Sequence, residues 1–287
     1  MDTVLTSRSG TVTIGADQPF CIIGERINPT GRKKFAEQLR AGDLSTVTVD
    51  AEAQVAAGAD MVDVNAGIPL VDEPELLMAM LRTVQAAVDV PICIDSSVIE
   101  ALEAGLSVYE GKPLVNSVTG EDERMEEIFP LVARHGAAVI GLANDETGIP
   151  ETPQQRLEIA TKIVRVAGEY GIPPEDIVID PLAMTVGADT EAVTTTLETI
   201  RIIKAELGVN MCLGASNVSF GLPRRHDLNA GFLPMAMAAG LTSAIMSCAP
   251  VCVDAVRASD LLLGHDPWGA GWIAEHRRRQ AEAAAAS

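Results

Sequence analysis

The chain has 287 residues, 47% of them hydrophobic and only 3% aromatic, so a large core is available and must be built from aliphatic side chains. Its formal net charge is −19 and its pI is near 4.5. Such a chain repels phosphate backbones, which argues against nucleic acid as a partner and reads as the solubilising charge of a cytoplasmic protein.

In chain order, the first ten residues, MDTVLTSRSG, contain no apolar stretch of the kind a secretory signal needs. Short apolar runs then recur: FCIIG at 20–24, DMVDVN at 60–65, PICID at 91–95, PLVNS at 113–117, AAVIGL at 137–142, DIVID at 176–180, VNMCLG at 209–214 and TSAIM at 242–246. Near-continuous apolarity marks parallel strands covered on both faces. The segments between them carry helical punctuation. Thr152, Pro153 and Gln155 spell a capping box with a proline at the first helical position. An apolar stripe through Leu157, Ala160, Ile163, Val164 and Ala167 follows, and Gly171 is its predicted stop. Val193, Leu197, Ile200 and Leu207 repeat the stripe, stopping at Gly208. Gly58 and Gly105 read as earlier helix stops.

Ala230 to Val253 carries no charged residue and is long enough to cross a bilayer. It also holds Gly231, Pro234, Gly240 and Pro250, and so reads as a buried helix, a turn and a strand, with no membrane partner. The final stretch, HRRRQAEAAAAS, reads as a solvated helix end that frays. The five cysteines, Cys21, Cys93, Cys212, Cys248 and Cys252, are odd in number and three lie in strand-like runs, which reads as free thiols in a reducing compartment. Cys248 and Cys252 lack a third ligand nearby, so no protein-bound metal is expected.

Eight strands alternating with helices point to a single (β/α)8 barrel domain over residues 1–287, with its core at about 20–265 and a helical tail at 266–287. A doubly wound open sheet is the alternative, but its Gly-x-Gly-x-x-Gly fingerprint is absent. In a barrel the chemistry stands at the strand C-terminal ends. Those ends carry Glu25, Arg26 and Asn28; Asp63 and Asn65; Asp95 and Ser96; Asn116 and Ser117; Asn144 and Asp145; Asp180; Ser216 and Asn217; and the less polar Met246 and Ser247. The four histidines, His135, His226, His265 and His276, lie away from these ends in sequence. Carboxylates suit an amidine-like N–H and NH2 edge, and an asparagine complements a lactam, so the set fits a neutral heterocycle such as a pterin or guanine. The blander alternatives are that Asp95 caps the next helix, that Asn116 and Asn217 satisfy loop backbone, and that Arg224 and Arg225 form a solvated face. Asp180 precedes Pro181, which disfavours a capping role there.

The stretches IIGERINPTG, CIDSS, LVNSVTGE, IGLANDETGIP, VIDPLAMTVG and GASNVSFGLPRRHDLNAGFLPMAMAAGLTSAIM together resemble the methyltetrahydrofolate:corrinoid methyltransferases, pterin-binding barrels related to dihydropteroate synthase. The resemblance runs from about residue 20 to about residue 265. It implies a homodimeric (β/α)8 barrel that moves a methyl group between N5 of tetrahydrofolate and the cobalt of a corrinoid. It implies pterin contacts at Asp95, Asn116 and Asp180, with Gly214 and Ser216 lining the same place. It places Asn217 at N5 and Arg225 in the loop beyond, and it makes Glu25, Asn28, Asp63 and Asn65 rim residues. Tetrahydrofolate or 5-methyltetrahydrofolate is then the substrate. The corrinoid, free cobalamin or one held on a corrinoid protein, comes in trans, because the chain resembles an isolated pterin-binding subunit. Phe220 departs from the polar residue of some relatives. Dihydropteroate synthase chemistry is an alternative, weakened because GASNVS lacks the lysine expected for a pyrophosphate; a non-catalytic folate- or corrinoid-docking module is another.

Overall fold

The computed structural model describes residues 1–285. Two strands, β1 (Asp2–Thr6) and β2 (Thr11–Gly15), form an antiparallel hairpin. There follow β3 (Cys21–Ile27), α1 (Lys33–Arg40), α2 (Ser45–Ala56), β4 (Met61–Asn65), α3 (Glu73–Ala87), β5 (Ile92–Asp95), α4 (Ile99–Val108), β6 (Leu114–Thr119), α5 (Asp122–His135) and β7 (Ala138–Leu142). The chain continues through α6 (Pro153–Glu169), β8 (Ile177–Asp180), α7 (Ala192–Glu206), β9 (Asn210–Gly214), α8 (Arg225–Ala239), β10 (Ser243–Met246), α9 (Pro250–Leu263) and α10 (Ala270–Ala285). Strands β3 to β10 pair in parallel and close into a barrel, β10 returning to β3. This is the (β/α)8 barrel anticipated from the eight apolar runs, each of which forms a barrel strand.

The two faces of these strands build two cores. Outward residues such as Ile22, Val62, Ile94, Val115, Val139 and Ile179 pack under the helices. Inward residues Cys21, Ile23, Met61, Cys93, Leu114, Ala138, Ile140, Val178 and Cys212 fill the barrel. Because side chains alternate along a strand, the next inward positions above this layer are Glu25, Asp63, Asp95, Asn116, Asp180 and Gly214. The apolar plug and the polar mouth are thus consecutive layers of one pattern.

The hairpin closes the other end and has no counterpart in the sequence reading. Leu5 and Ile14, both fully buried, join the inner core from below. Asn210, 3% exposed, fastens them: its Nδ2 donates to Thr3 Oγ1 at 2.9 Å and to the Ile14 carbonyl at 2.8 Å. The hairpin went unread because its strands are short and mostly polar.

The capping box at Thr152 and Gln155 is present, and helices end beside left-handed Gly58, Gly171 and Gly208. Gly105 is a correction. It lies inside α4, where a Cβ would stand 3.0 Å from Leu81 Cδ1 and 3.2 Å from Ile94 Cγ2, so close packing against α3 and β5 demands glycine there. The uncharged stretch 230–253 is the body of α8, a turn at left-handed Gly240, β10 and the start of α9. Among the described residues no helix is long and apolar enough to cross a membrane. The tail forms α10, fastened by Arg279 to Asp254 of α9 at 2.7 Å, with its first turn held by Asp266. The expectation that its end frays falls partly on residues 286–287, which lie outside the described residues.

Asn210→Ala removes the buried side-chain hydrogen bonds to Thr3 Oγ1 and to the Ile14 carbonyl. It should lower the unfolding free energy by about 1–3 kcal/mol in a urea titration. An unchanged midpoint would mean that the hairpin does not brace the barrel.

Candidate active site at the barrel mouth

Register explains the depth of each polar side chain. Asp63 pairs level with Cys93 of the apolar layer, whereas Asp95 stands level with Asn65 and Asn116, one step higher. Asp63 is therefore 2% exposed, while Asp95, Asn65 and Asn116 are half-buried. Two asparagines each donate to one carboxylate. Asn116 Nδ2 donates to Asp63 Oδ1 at 3.2 Å, and Asn65 Nδ2 donates to Asp95 Oδ2 at 2.9 Å. Asn65 Oδ1 also accepts from Gly67 N. The peptide between Asn116 and Ser117 is cis.

Helix capping does not account for these residues. The N-cap of helix α4 is Val98, with no side-chain cap, and Asp95 bonds across to the neighbouring strand instead. Asn116 likewise directs its N–H to Asp63 rather than to loop backbone. Asp180 accepts from Leu182 N at 2.7 Å and from Gly214 N at 3.4 Å, tying the end of β8 to the end of β9.

Desolvation dominates the electrostatics. Burial pushes Asp95 up to about 6, Asn65 pulling it back and Glu73 pushing it further. Burial also raises Asp180 to about 6, against the backbone N–H groups of Leu182 and Gly214 and the charge of Arg156. Deeper still, burial and then the Asp95 charge hold the Asp63 carboxyl well above the usual carboxylate range. Glu25 is raised by burial too, with the hydrogen bond from Ser216 as the main opposing influence. Such shifts are found where a site must be dry and charged at once.

The loop after β9 completes the mouth. Ala215–Ser219 makes a short 3-10 turn. Ser216 Oγ donates to Glu25 Oε1 at 2.9 Å, so β9 and β3 are joined over the end of β10. Arg225 donates to the Ser216 carbonyl at 2.7 Å and to Ser219 Oγ at 3.1 Å, and its guanidinium lies 5.8 Å from the centre of the Phe220 ring. Arg224 turns outward and pairs with Asp227, so the two arginines part company: one is solvated, the other organises the loop. Asn217 is exposed, and its amide makes no hydrogen bond with the described residues; a Cβ on Gly214 would stand 3.0 Å from its Nδ2. Asn28 and Asp145, by contrast, are engaged within their own turns, on Thr30 and Thr147.

Sequence reasoning missed four contributors. Buried Arg156 of α6 donates to the carbonyls of Pro181 and Leu182 at 2.9 and 2.8 Å, fixing the loop beyond Asp180. Glu73 accepts from Ser96 Oγ. Buried Asn229 of α8 donates to Ser216 Oγ at 3.2 Å. His226, whose place in sequence set it apart from the strand ends, stands near enough for its charge to act on Glu25. None has a sequence signal, since Arg156, Asn229 and His226 sit on helices and reach the mouth only through the fold.

Comparison with known proteins identifies the family and the fold. A family model described as pterin binding enzyme matches residues 24–258. The chain is 35% identical over 256 residues to a methylcorrinoid:tetrahydrofolate methyltransferase of Eubacterium limosum, covering 85% of this chain and 92% of that one. It is 33% identical over 253 residues to a methionine synthase of Mycobacterium tuberculosis, covering 84% of this chain but 21% of that longer protein. Solved dihydropteroate synthases share the fold: that of Vibrio fischeri superposes with TM-score 0.70 at 18% identity over 92% of this chain and all of that one. That of Thermus thermophilus, with 4-aminobenzoate, gives 0.66 at 20% identity over 90% and 99%. At such low identity the likeness carries the architecture and not the chemistry. The chain belongs to the pterin binding enzymes and, within them, to the family of the methyltetrahydrofolate:corrinoid methyltransferases.

Proposed function

We propose that this enzyme moves a methyl group between N5 of tetrahydrofolate and the cobalt of a corrinoid. The observation that carries the reading is the layered mouth: ionisable carboxylates at the floor and an unengaged amide, Asn217, at the open side. A pterin offers its N–H and NH2 edge to carboxylates, and Asp95 and Asp180, with Asn116 between them in chain order, supply acceptors with few competing partners. Gly214 and Ser216 line the wall, Arg225 holds it, and Asn65, Asp63 and Glu25 surround the floor. The exposed amide of Asn217 is left to meet N5.

The protein's task follows from the chemistry. A tertiary amine is a poor leaving group, so N5 must gain positive character as its methyl departs. An amide that rotates can donate to or accept from that nitrogen without titrating. Held in place by the floor, the pterin keeps N5 under the open side. The corrinoid supplies the methyl acceptor or donor there, brought in trans as free cobalamin or on a corrinoid protein. In support, the chain spans nearly all of the Eubacterium limosum relative, whose name states the direction methylcorrinoid to tetrahydrofolate. Phe220, 68% exposed beside this opening, offers an apolar contact to the approaching macrocycle. A homodimer and a cytoplasmic location complete the reading on family likeness, and residues 1–287 act as one pterin-binding domain.

Asn217→Ala should lower turnover by about 100-fold while changing the Kd of methyltetrahydrofolate by less than about threefold. Collapse of binding instead would make Asn217 a binding residue only. The pH dependence has a definite sign. The pterin edge binds the ionised carboxylates, and Asp95 and Asp180 hold their protons up to about pH 6. Affinity for tetrahydrofolate should therefore be full above that range and fall as pH drops through it, by up to about tenfold per unit for each carboxylate. Isothermal titration across this range checks it, and Asp180→Asn should flatten the curve as well as weaken binding. A pH-independent Kd in the unsubstituted protein would contradict the assignment.

A further inference from the structure

The methyl exchange just proposed, on which this inference rests, is not balanced by Asn217 alone. When the N5–methyl bond breaks, its electron pair stays on N5, and N5 must end as N–H. In the opposite direction the N5–H proton must leave. An amide stores no proton, so a titratable group has to stand beside it.

One carboxyl is built for this. Strand β10 is the short, weakly polar strand of the mouth, ending at Met246 between β9 and β3. Glu25, one residue above the Gly24 that pairs with Met246, crosses this gap to the loop that carries Asn217. Its anchorage has a direction. Asn229 Nδ2 can only donate, so Ser216 Oγ accepts from it and gives its single proton to Glu25 Oε1. The Oε1 position is thereby reserved as an acceptor. The other oxygen, Oε2, makes no hydrogen bond with the described residues, and any proton that Glu25 holds sits there.

We infer that Glu25 exchanges the proton of N5, carried on Oε2, and that Ser216 and Asn229 are the positioning residues that aim it. In demethylation the N5–methyl bond breaks, the Oε2 proton becomes the N5–H proton and Glu25 is left as carboxylate; the electron pair of the reduced corrinoid makes the new bond to methyl. In methylation of tetrahydrofolate the N5 lone pair bonds the methyl, the N5–H proton passes to the Glu25 carboxylate, and the methyl–cobalt pair stays with the corrinoid. Both directions balance with no other reactant.

The surroundings favour the protonated form of Glu25 beyond that of an ordinary glutamate. Burial raises Glu25, while the Ser216 hydrogen bond and the charges of Arg225, His226 and Arg26 draw it back. Asp63 faces it from β4, and Cys248 and Cys252 face it from the segment after β10. Asp63 is deeper, already bonded to Asn116, and has no route to the Asn217 loop comparable to the Glu25–Ser216 contact.

The test uses the whole chain with cob(I)alamin and methyltetrahydrofolate, and methylcobalamin with tetrahydrofolate, across pH. Demethylation should slow, and methylation of tetrahydrofolate should quicken, as pH rises through the Glu25 pKa. Glu25→Gln, which keeps the acceptor for Ser216, should cut both rates by about 100-fold or more with folate affinity little changed. Ser216→Ala removes the hydrogen bond that lowers Glu25, so both limbs should move to higher pH, which a merely structural role would not produce. Independently of turnover, infrared difference spectra of wild type against Glu25→Gln should show a protonated-carboxyl band that persists above the ordinary glutamate pKa of about 4.3. Unaltered rates and limbs in Glu25→Gln, or a band lost within the ordinary range, would overturn this inference alone. Failure of the wild type to exchange methyl groups at all would overturn the parent reading, and this one with it.

Discussion

The depth at which a polar side chain stands in the barrel governs most of what this protein can do. Eight parallel strands alternate strictly, so every strand that contributes Cys, Met, Leu, Ile or Val to the inner plug offers its next inward residue to the mouth. One step of register separates Asp63, sealed beside Cys93, from Asp95, half-open beside Asn116. That step converts chemically identical carboxyls into a deep group held well above the ordinary range and a shallower one near 6. Desolvation sets these differences, and the asparagine that donates to each carboxylate keeps them tolerable.

The same plug isolates the two ends of the barrel. At the strand N-termini the hairpin, Asn210 and the Arg257 cluster with Asp60 and Asp260 give rigidity. A hollow of about 450 Å3 beside α10 also lies at that end, lined by Trp272 and Val253 together with Asp60, Arg257, Asp260 and Glu275. At the C-termini the polar groups are incompletely paired. Stability is concentrated below and open hydrogen-bonding capacity above, the division a barrel enzyme needs.

Much of this was legible in the chain. Apolar runs gave the eight barrel strands because parallel strands buried on both faces leave no alternation to confuse, and the polar residues at or just past the ends of those runs named the rim. Pro181 disfavoured capping for Asp180, and the bond from Asn65 shows Asp95 engaged across the sheet instead. What escaped detection was long-range. Arg156 and Asn229 sit on helices where a polar residue reads as solvated, yet they reach loops 25 and 13 residues away. Gly105 was taken for a stop because glycine's absent side chain serves close packing and helix ends alike. Arg224 and Arg225 could not be told apart without seeing which one turns inward to the Ser216 carbonyl.

The central claim is that this mouth exchanges a methyl group between folate and cobalt. It is tested most directly by mixing the purified protein with methyltetrahydrofolate and cob(I)alamin under anaerobic conditions, beside methylcobalamin with tetrahydrofolate, and following the cobalt absorbance. Protein-dependent gain of methylcobalamin in the first mixture, or its loss in the second, is the predicted result, and the faster mixture gives the favoured direction. Intact tetrahydrofolate binding with no change in either mixture, even when corrinoid protein replaces free cobalamin, would contradict it and leave a pterin-binding barrel without this chemistry.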